Sequence, residues 1–311
     1  MDWLAGPGPY SGQAAPAAEF PSVLPLNEAT DWLANLPSSH VLLGVDGEGQ
    51  PVTVDLTTDS PHILVSASTG AGKSAVARSV AVQRAARGDL VVFLDIKCHS
   101  HRWARQLAPV AHYADSPASI GDALVNIGRE VHRRNAIVKE LPPDVPVSAA
   151  EVGPDILVVF EEMNATTGRL RTLDRGRPPG GYRALEALSD IAFMGRAVNV
   201  RLVSFAQMAT YRASGGSEVI ESYGTRVLIN YSPKAWRYLA EDCGRYQPAP
   251  EAVGRGMVCR GTRAVETQFL WVPEHDAAPY VLASAPAQRR AREISGGRRG
   301  LPTAWRAAIG R

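Results

Sequence analysis

The strongest constraint on the fold is a glycine-rich segment between an apolar run and a helical pattern. Ile63–Ser66 is apolar and bounded by turn residues, which predicts a buried β-strand. Ser74–Arg87 has apolar residues at helical spacing and is followed by Gly88, which predicts a helix closed by a glycine. The connection reads Ala67-Ser-Thr-Gly-Ala-Gly-Lys-Ser74. This strand–loop–helix order is the context in which such a loop binds phosphate.

The spacing within this connection is that of the phosphate loop, with Ala67 in place of the first glycine. Gly70 and Gly72 let the backbone turn so that successive N–H groups face an anion, and the helix directs its positive end at the same point. Lys73 is expected to reach the β- and γ-phosphates of ATP, and Ser74 to offer its hydroxyl to Mg²⁺. The predicted nucleotide-binding residues are Ala67, Ser68, Thr69, Gly70, Ala71, Gly72, Lys73 and Ser74.

A phosphate loop needs an acidic partner at the end of another strand, and Ile156–Phe160 leads directly into Glu161 and Glu162. We assign Glu161 to the Mg²⁺ shell and Glu162 to activation of the hydrolytic water. The alternative is a solvated acidic pair that caps the strand. Gln207 follows the predicted strand Val200–Phe205, where its amide can contact the γ-phosphate; the alternative is a loop glutamine that faces solvent.

Another polar segment follows the predicted strand Leu90–Leu94. Asp95 and Lys97 are interpreted as an ordinary strand-end pair without a direct catalytic role. The residues 98–101 read Cys-His-Ser-His, and they are too close together for the usual zinc spacings. We therefore interpret this segment as a loop and not as a metal site.

The remaining patterns predict an α/β fold. Apolar strands alternate with amphipathic helices, which favours a parallel sheet covered by helices on both faces. Ahead of the loop, two β-rich runs flank Asp46-Gly-Glu-Gly49, a sequence typical of a hairpin. The predicted class is a RecA-like P-loop NTPase with a mostly parallel central sheet, preceded by a β-hairpin. The further predicted strands and helices are Val41–Val45, Val52–Leu56, Arg226–Asn230, Pro117–Leu141 and Ala184–Val198.

Composition divides the chain into three parts. Residues 1–40 are rich in Ala, Pro, Gly and Ser and are interpreted as a flexible arm with a short helix around Ala29–Leu36. Residues 41–285 form the ordered domain. Residues 286–311 hold seven arginines and one acid, and are interpreted as a basic, mostly disordered tail that could hold DNA, anionic lipid or a partner.

Neither charge nor hydropathy indicates a membrane protein. The formal net charge is only +2, so binding to nucleic acid would depend on local basic patches. No apolar run approaches the ~20 residues that span a bilayer, and the N-terminus lacks a signal-peptide pattern. We expect a cytoplasmic protein without an intrinsic membrane span, able to be peripheral at a membrane through partners.

Several segments together resemble one family, the FtsK/SpoIIIE motor domain. The likeness begins with the hairpin and with Pro61-His62, which lead into the phosphate loop. It continues through Asp95-Ile-Lys97, the acid pair, Gly195-Arg-Ala197 and Gly254-Arg-Gly-Met257, and it covers roughly Val41 to Val272. The small size and the Ala/Arg content are similar to those of actinomycete plasmid-transfer proteins such as TraSA and TraB.

This resemblance implies a homo-hexameric ring that hydrolyses ATP at its subunit interfaces and threads double-stranded DNA. The cargo would be plasmid DNA passed between mating cells, with a membrane-associated mating-complex partner. Two positions depart from the family pattern. Glu161 stands where the family usually has Asp, and Met208-Ala209 follows Gln207 where the family usually has Arg-Pro.

Basic residues supply candidates for the contacts that such a ring requires. Arginines after the acid pair lie in a predicted Gly/Pro-bearing loop and could follow DNA phosphates; the alternative is a solvated charged loop. Arg196 and Arg226 are candidates for the arginine that completes a neighbouring subunit's site, and structural ion pairing is the alternative. The DNA-contact candidates are Arg169, Arg171, Arg175, Arg177, Lys234 and Arg237.

Two other functions stay open on the sequence alone. A ring ATPase of the secretion type moves a polypeptide and would be indifferent to DNA. A nucleotide-binding scaffold of the mating machinery would bind ATP and hydrolyse it weakly.

Overall fold

The structure is a computed structural model that describes residues 20–58, 60–68, 70, 72–176, 180–207 and 217–296. Among the residues singled out above, Thr69, Ala71, Arg177 and the pair Met208-Ala209 lie outside the described residues. So do residues 1–19 of the predicted arm and the chain from residue 297 onward.

Six neighbouring parallel strands form the centre of the sheet, in the order β9-β4-β8-β7-β5-β6. They are short, and all except the edge strand β6 are mostly buried and rich in β-branched residues, as expected for strands covered on both faces. The phosphate-loop strand β4 and the acid-pair strand β7 are separated by the single strand β8. The six strands are β4 (Ile63–Ala67), β5 (Leu90–Leu94), β6 (Ala111–Ala114), β7 (Ile156–Phe160), β8 (Val200–Ala206) and β9 (Thr225–Ile229).

Antiparallel strands extend the sheet beyond β9. In order they are β10 (Arg255–Arg260), β11 (Arg263–Trp271), β2 (His40–Val45) and β3 (Pro51–Asp55). The pair β2–β3 is the predicted hairpin, with a register shift between Leu42 and Gly44. A two-residue strand, β1 (Leu24–Pro25), pairs with β11 in parallel.

Helices cover both faces of this sheet. On one face α2 packs against α8, and on the other α3 packs against α5. A serine cap begins α3: the Ser116 hydroxyl accepts from Ser119 N–H at 3.1 Å, and Pro117 occupies the first turn. The nine described helices are α1 (Thr30–Asn35), α2 (Lys73–Ala86), α3 (Pro117–Lys139), α4 (Met163–Arg175), α5 (Ala184–Met194), α6 (Ser217–Glu221), α7 (Pro233–Leu239), α8 (Glu274–Ala283) and α9 (Ala285–Ser295).

The alternation of side chains along each central strand divides the core into two layers. On β4, Ile63 and Val65 face the layer that contains α2, and Leu64 faces the layer that contains α3 and α5. The same alternation holds on β5 and β7. Both layers are apolar because strands of this kind have no solvent face. The predicted α/β class with a mostly parallel, doubly covered sheet is confirmed.

His62 fixes the entry to β4. Its ring is fully buried, its Nδ1 accepts from Leu202 N–H at 2.9 Å, and its Nε2–H donates to the Ala192 carbonyl at 3.0 Å. The same imidazole therefore holds the end of α5, the start of β8 and the start of β4 together. Both nitrogens have partners only in the neutral tautomer with the proton on Nε2.

The two ends of the ordered domain reach further than the sequence predicts. On the N-terminal side, Leu24 and Ala29 are buried in the core layer of α2. On the C-terminal side, the predicted disordered tail is wrong up to residue 295, because α9 packs on α2. Arg290 Nε donates to the Gly88 carbonyl at 2.9 Å, and the Ser284 hydroxyl donates to the Ala86 carbonyl. In the described part of the chain, no helix has both the length and the hydropathy needed to cross a bilayer.

Candidate nucleotide-binding site

The phosphate loop connects β4 to α2 as the sequence predicts. Ala67 is the buried last residue of β4, where an extended backbone accommodates its Cβ. Gly70 and Gly72 have φ values of +79° and +94°, a region that residues with a Cβ rarely adopt. Lys73 begins α2, so the first N–H groups of this helix lie at the loop. The Ser68 hydroxyl donates to the Asn230 carbonyl at 3.1 Å, which ties the loop to the end of β9.

The acid pair meets the phosphate loop at the carboxyl edge of the sheet. Glu161 follows β7 and donates its N–H to the Leu94 carbonyl at 2.9 Å. Glu162 has a φ of +46°, and its Oε1 lies 3.1 Å from the Lys73 Nζ. Both of these side chains are buried, with exposures of 8% and 7%. The predicted proximity of the phosphate-loop lysine and the acid pair is therefore present in the fold.

Lys97 also belongs to this site, although we interpreted it as part of an ordinary strand-end pair. Its Nζ lies 2.5 Å from the same Glu162 Oε1 that Lys73 contacts. Asp95 shapes the turn that carries it by accepting the Lys97 N–H at 3.1 Å and the Ser100 N–H at 2.7 Å. Sequence reasoning missed Lys97 because the adjacency of β5 and β7 is a property of strand order. The one available signal was its place in the Asp95-Ile-Lys97 segment.

The pKa of Glu162 lies below its ordinary value. Burial acts to raise the pKa, and hydrogen bonds from Lys97 and Lys73 outweigh it. A carboxylate held in this way by two ammonium groups is ionised, and it becomes a better proton acceptor when those contacts are released.

His101 contacts the other acid of the pair. Its Nε2 lies 2.7 Å from Glu161 Oε1, and both side chains are almost completely buried. The ring packs near Phe93 and Trp103, and its Nδ1 has no hydrogen-bond partner among the described residues. With a proton on Nε2, the ring donates a hydrogen bond to the Glu161 carboxylate and fixes its position. The residues 98–101 thus form a loop as predicted, and its last residue orients Glu161.

A cavity of about 220 Å³ lies between these groups. Its oxygen donors include the Ser74 hydroxyl and the Glu161 carboxylate, and oxygen ligands of this kind suit Mg²⁺. The two residues predicted to hold the ion therefore fit it. The cavity is lined by Gly70, Gly72, Lys73, Ser74, Ala75, Lys97, His99, Ser100, Glu161 and Glu162.

Gln207 follows β8, the strand between β4 and β7, and is exposed. The carboxyl ends of parallel strands share one edge of a sheet. Gln207 is therefore on the same edge as the loop and the acid pair, and its contact with the γ-phosphate stays a prediction.

The described DNA-contact candidates lie on two helices. The predicted loop location of Arg169, Arg171 and Arg175 is wrong, because all three are on α4, which begins directly after Glu162. The helix forms because Thr166 and Leu170, four residues apart, are buried on one face. Polar residues between them hide this helical spacing in the sequence. The candidates Lys234 and Arg237 are exposed on α7.

The two candidates for a trans-acting arginine lie at the amino ends of strands, opposite the edge with the phosphate loop. Arg196 precedes β8 and donates to the Thr57 carbonyl at 3.2 Å. Arg226 is near the start of β9 and donates to the Leu239 carbonyl at 3.1 Å. Neither lies beside this chain's own loop, and their action on a neighbouring subunit stays a prediction.

Comparison by sequence gives limited information. No family model matches the sequence. A phosphoglycerate kinase from Clavibacter sepedonicus is 28% identical over 140 residues, which are 45% of this chain and 34% of the kinase. The chain thus spans only about a third of the length of this curated relative.

Comparison by structure covers most of the chain. The pCW3 conjugation coupling protein TcpA, solved as a monomer with ATPγS, is 19% identical with a TM-score of 0.67; the match covers 85% of this chain and 75% of TcpA. EssC (ATPases 2 and 3) from Geobacillus thermodenitrificans is 15% identical with a TM-score of 0.60, over 91% of this chain and 52% of EssC. The cytoplasmic domain of the type VII secretion ATPase EccC from Thermomonospora curvata is 19% identical with a TM-score of 0.54. The match covers 81% of this chain and 28% of that EccC chain. With the sheet order and the loop geometry, these similarities identify the fold of this chain as that of the RecA-like P-loop NTPases.

Proposed function

We propose that this chain is an ATPase motor of the FtsK/SpoIIIE type that moves double-stranded DNA during plasmid transfer between cells, as TraSA and TraB do. The observation that carries the proposal is the meeting of Lys73 with Glu162 at the carboxyl edge of the sheet, 3.1 Å apart. That geometry supports ATP binding and hydrolysis. The fold similarity to a conjugation coupling protein supports the choice of cargo.

Each residue of the site has a role in this proposal. The amides of the loop and the Lys73 ammonium bind the phosphates of ATP. Ser74 and Glu161 hold Mg²⁺, which supplies charge neutralisation for the phosphates when it is bound. Glu162 accepts a proton from the attacking water, and Gln207 contacts the γ-phosphate. His101 fixes the Glu161 carboxylate through the 2.7 Å contact.

The helix α4 connects the proposed DNA-contact arginines to Glu162. The helix starts directly after Glu162, and Arg169 and Arg175 are exposed along it. A helix is a rigid element, so a change at the acid moves the arginines as one body. Contacts of guanidinium groups with phosphates give affinity without reading sequence. We propose a homo-hexamer as the working assembly, cytoplasmic and peripheral at the membrane through a mating-complex partner.

ATP turnover with and without long linear duplex DNA tests the proposal, together with the native mass of the assembly. We expect DNA to stimulate turnover and the stimulation to fall steeply with salt. The Lys73→Ala control should lose activity, because removal of a preorganised phosphate contact costs about 3 kcal/mol of transition-state stabilisation. ATP binding without any stimulation by DNA would contradict a DNA motor.

A second candidate is a polypeptide-moving ring ATPase, which the fold similarity to EccC and EssC favours. It predicts stimulation by a protein cargo and indifference to DNA in the same assay. A third, a scaffold with weak hydrolysis, is favoured by Glu161 in place of the family's Asp. It predicts turnover at background level with intact ATP affinity.

A further inference from the structure

Two lysine ammonium groups contact the same carboxylate oxygen in the nucleotide-binding site. Glu162 Oε1 lies 3.1 Å from Lys73 Nζ and 2.5 Å from Lys97 Nζ. The two nitrogens are close neighbours because they contact the same atom. Two like charges at that separation repel each other, and only an anion between them offsets the repulsion.

A bound triphosphate would change this balance. Lys73 is the residue that leaves Glu162 for the phosphates. Lys97, beside it, is then within reach of the same ligand, and its side chain is 40% exposed at the cavity, so it can move. The terminal phosphate carries more charge than the Glu162 carboxylate and competes for the Lys97 ammonium.

The backbone under Lys97 is held in place while its side chain is not. Asp95 accepts the Lys97 and Ser100 N–H groups and also the Tyr113 hydroxyl, the last at 2.5 Å. Cys98, with a φ of +66°, donates its N–H to the Asp95 carbonyl at 2.9 Å. This loop is a fixed base from which a long side chain can alternate between two anions.

We propose that Lys97 senses the γ-phosphate: it holds Glu162 when no triphosphate is bound and transfers to the terminal phosphate of ATP, which releases Glu162. ADP has no terminal phosphate at that position, so with ADP Lys97 stays on Glu162. The inference rests on the proposed nucleotide site and adds a positioning residue to it. Glu162 is thereby released to act on water only when a triphosphate is bound.

The test is equilibrium binding of ATPγS and of ADP, each with Mg²⁺, to the full chain by calorimetry. In Lys97→Met we expect the preference for ATPγS over ADP to fall about tenfold, the effect of one charge-assisted contact. Lys97→Arg should keep most of the preference. Lys139→Met, at an exposed position at the end of α3, is the matched control and should leave the preference unchanged.

A second variant separates sensing from a structural role. In Glu162→Gln, Lys97 has a weaker partner to leave, so the preference for ATPγS should rise, and adding Lys97→Met should remove that gain. Equal losses of ATPγS and ADP affinity in Lys97→Met, or an unchanged preference, would overturn the proposal. A wild-type chain that binds neither nucleotide would instead refute the proposed function, so the two failures are distinguishable.

Discussion

Glu162 is the proposed water-activating acid, and its backbone conformation is strained. Its φ of +46° places a residue with a Cβ in the left-handed region, which costs of order 1–3 kcal/mol and is typical of functional sites. Its carboxylate is buried and contacts Lys73 at 3.1 Å. The surrounding β7 and α4 are well packed, so they can hold this strained turn and aim the acid at the cavity.

Replacement of Glu162 by Gln tests its assignment as the water-activating acid. We expect Glu162→Gln to bind ATP and to lose at least about 100-fold in turnover, since the amide cannot accept the proton. Single-turnover hydrolysis and nucleotide binding, measured side by side, check this. Normal hydrolysis by the variant would refute the assignment.

His62 gives stability a defined dependence on pH. Burial lowers its pKa from 6.5 to about 4, against the raising effect of the hydrogen bond to Ala192. The unfolded chain binds this proton at higher pH than the folded chain does. The stabilisation is therefore complete above about pH 6.5 and is lost as pH falls towards 4, by about 3 kcal/mol in total.

Urea unfolding between pH 4 and pH 7 measures this loss. In His62→Gln the free energy of unfolding is lower at all pH values, but its slope over this interval should be shallower. An equal slope in the variant and the wild type would assign the dependence to other groups.

Sequence reasoning predicts where a residue lies when its position follows from its neighbours in the chain, whereas the roles in ATP binding and hydrolysis stay predictions. The loop glycines, Lys73 and the acid pair were identified because each stands at a fixed offset from an apolar strand. Lys97 and His101 were not identified, because their role depends on which strand ends lie side by side.

At the scale of the element, the strands that were predicted are those with uninterrupted apolar runs, such as β4 and β7. The strands β6, β10 and β11 were missed. β6 has four residues, and the first four residues of β11 are exposed or half-buried. Their burial depends on pairing with distant segments, as when β10 joins β9, and a local pattern does not carry that information.

At Gly44, an added side-chain atom should disturb the pairing of two strands. A Cβ there would lie 2.0 Å from the Gln268 carbonyl oxygen, a backbone atom of β11 that cannot rotate away. We expect Gly44→Ala to destabilise the protein by about 3 kcal/mol through separation of β2 from β11. Thermal and urea unfolding measure the change.

Gly168→Ala is the matched control for this substitution. Gly168 is on α4 with nothing within 4 Å of its added Cβ, and alanine favours a helix by about 1 kcal/mol. The two substitutions should thus have opposite signs. Stabilisation by Gly44→Ala would contradict the close approach of the two strands.

At the scale of the whole molecule, strand order is what assembles the site. β8 separates β4 from β7 and carries Gln207, while β5 lies beyond β7 and carries Lys97. Four strand ends from segments far apart in the chain thus meet at one edge. The alternation of strands and helices predicted such an edge, but the order of the strands along it was not accessible from the sequence.

The arginines of α4 provide the whole-molecule prediction, since they act only if a DNA channel exists. We expect the double substitution Arg169→Gln and Arg175→Gln to weaken duplex binding and to reduce the slope of log affinity against log salt by about 2. Fluorescence anisotropy over a range of salt concentrations measures this. Arg129→Gln, an exposed arginine on α3, is the control and should keep the full slope.

The two contacts of His62 have a consequence for how chains of this fold can differ in length. Its imidazole spans partners 130 and 140 residues away, the Ala192 carbonyl and the Leu202 amide. An inserted or deleted residue between those two partners would pull one of them off its ring nitrogen. Insertions and deletions in evolution should therefore avoid the connection between α5 and β8. They should accumulate in loops whose two ends are not both hydrogen-bonded to one buried ring.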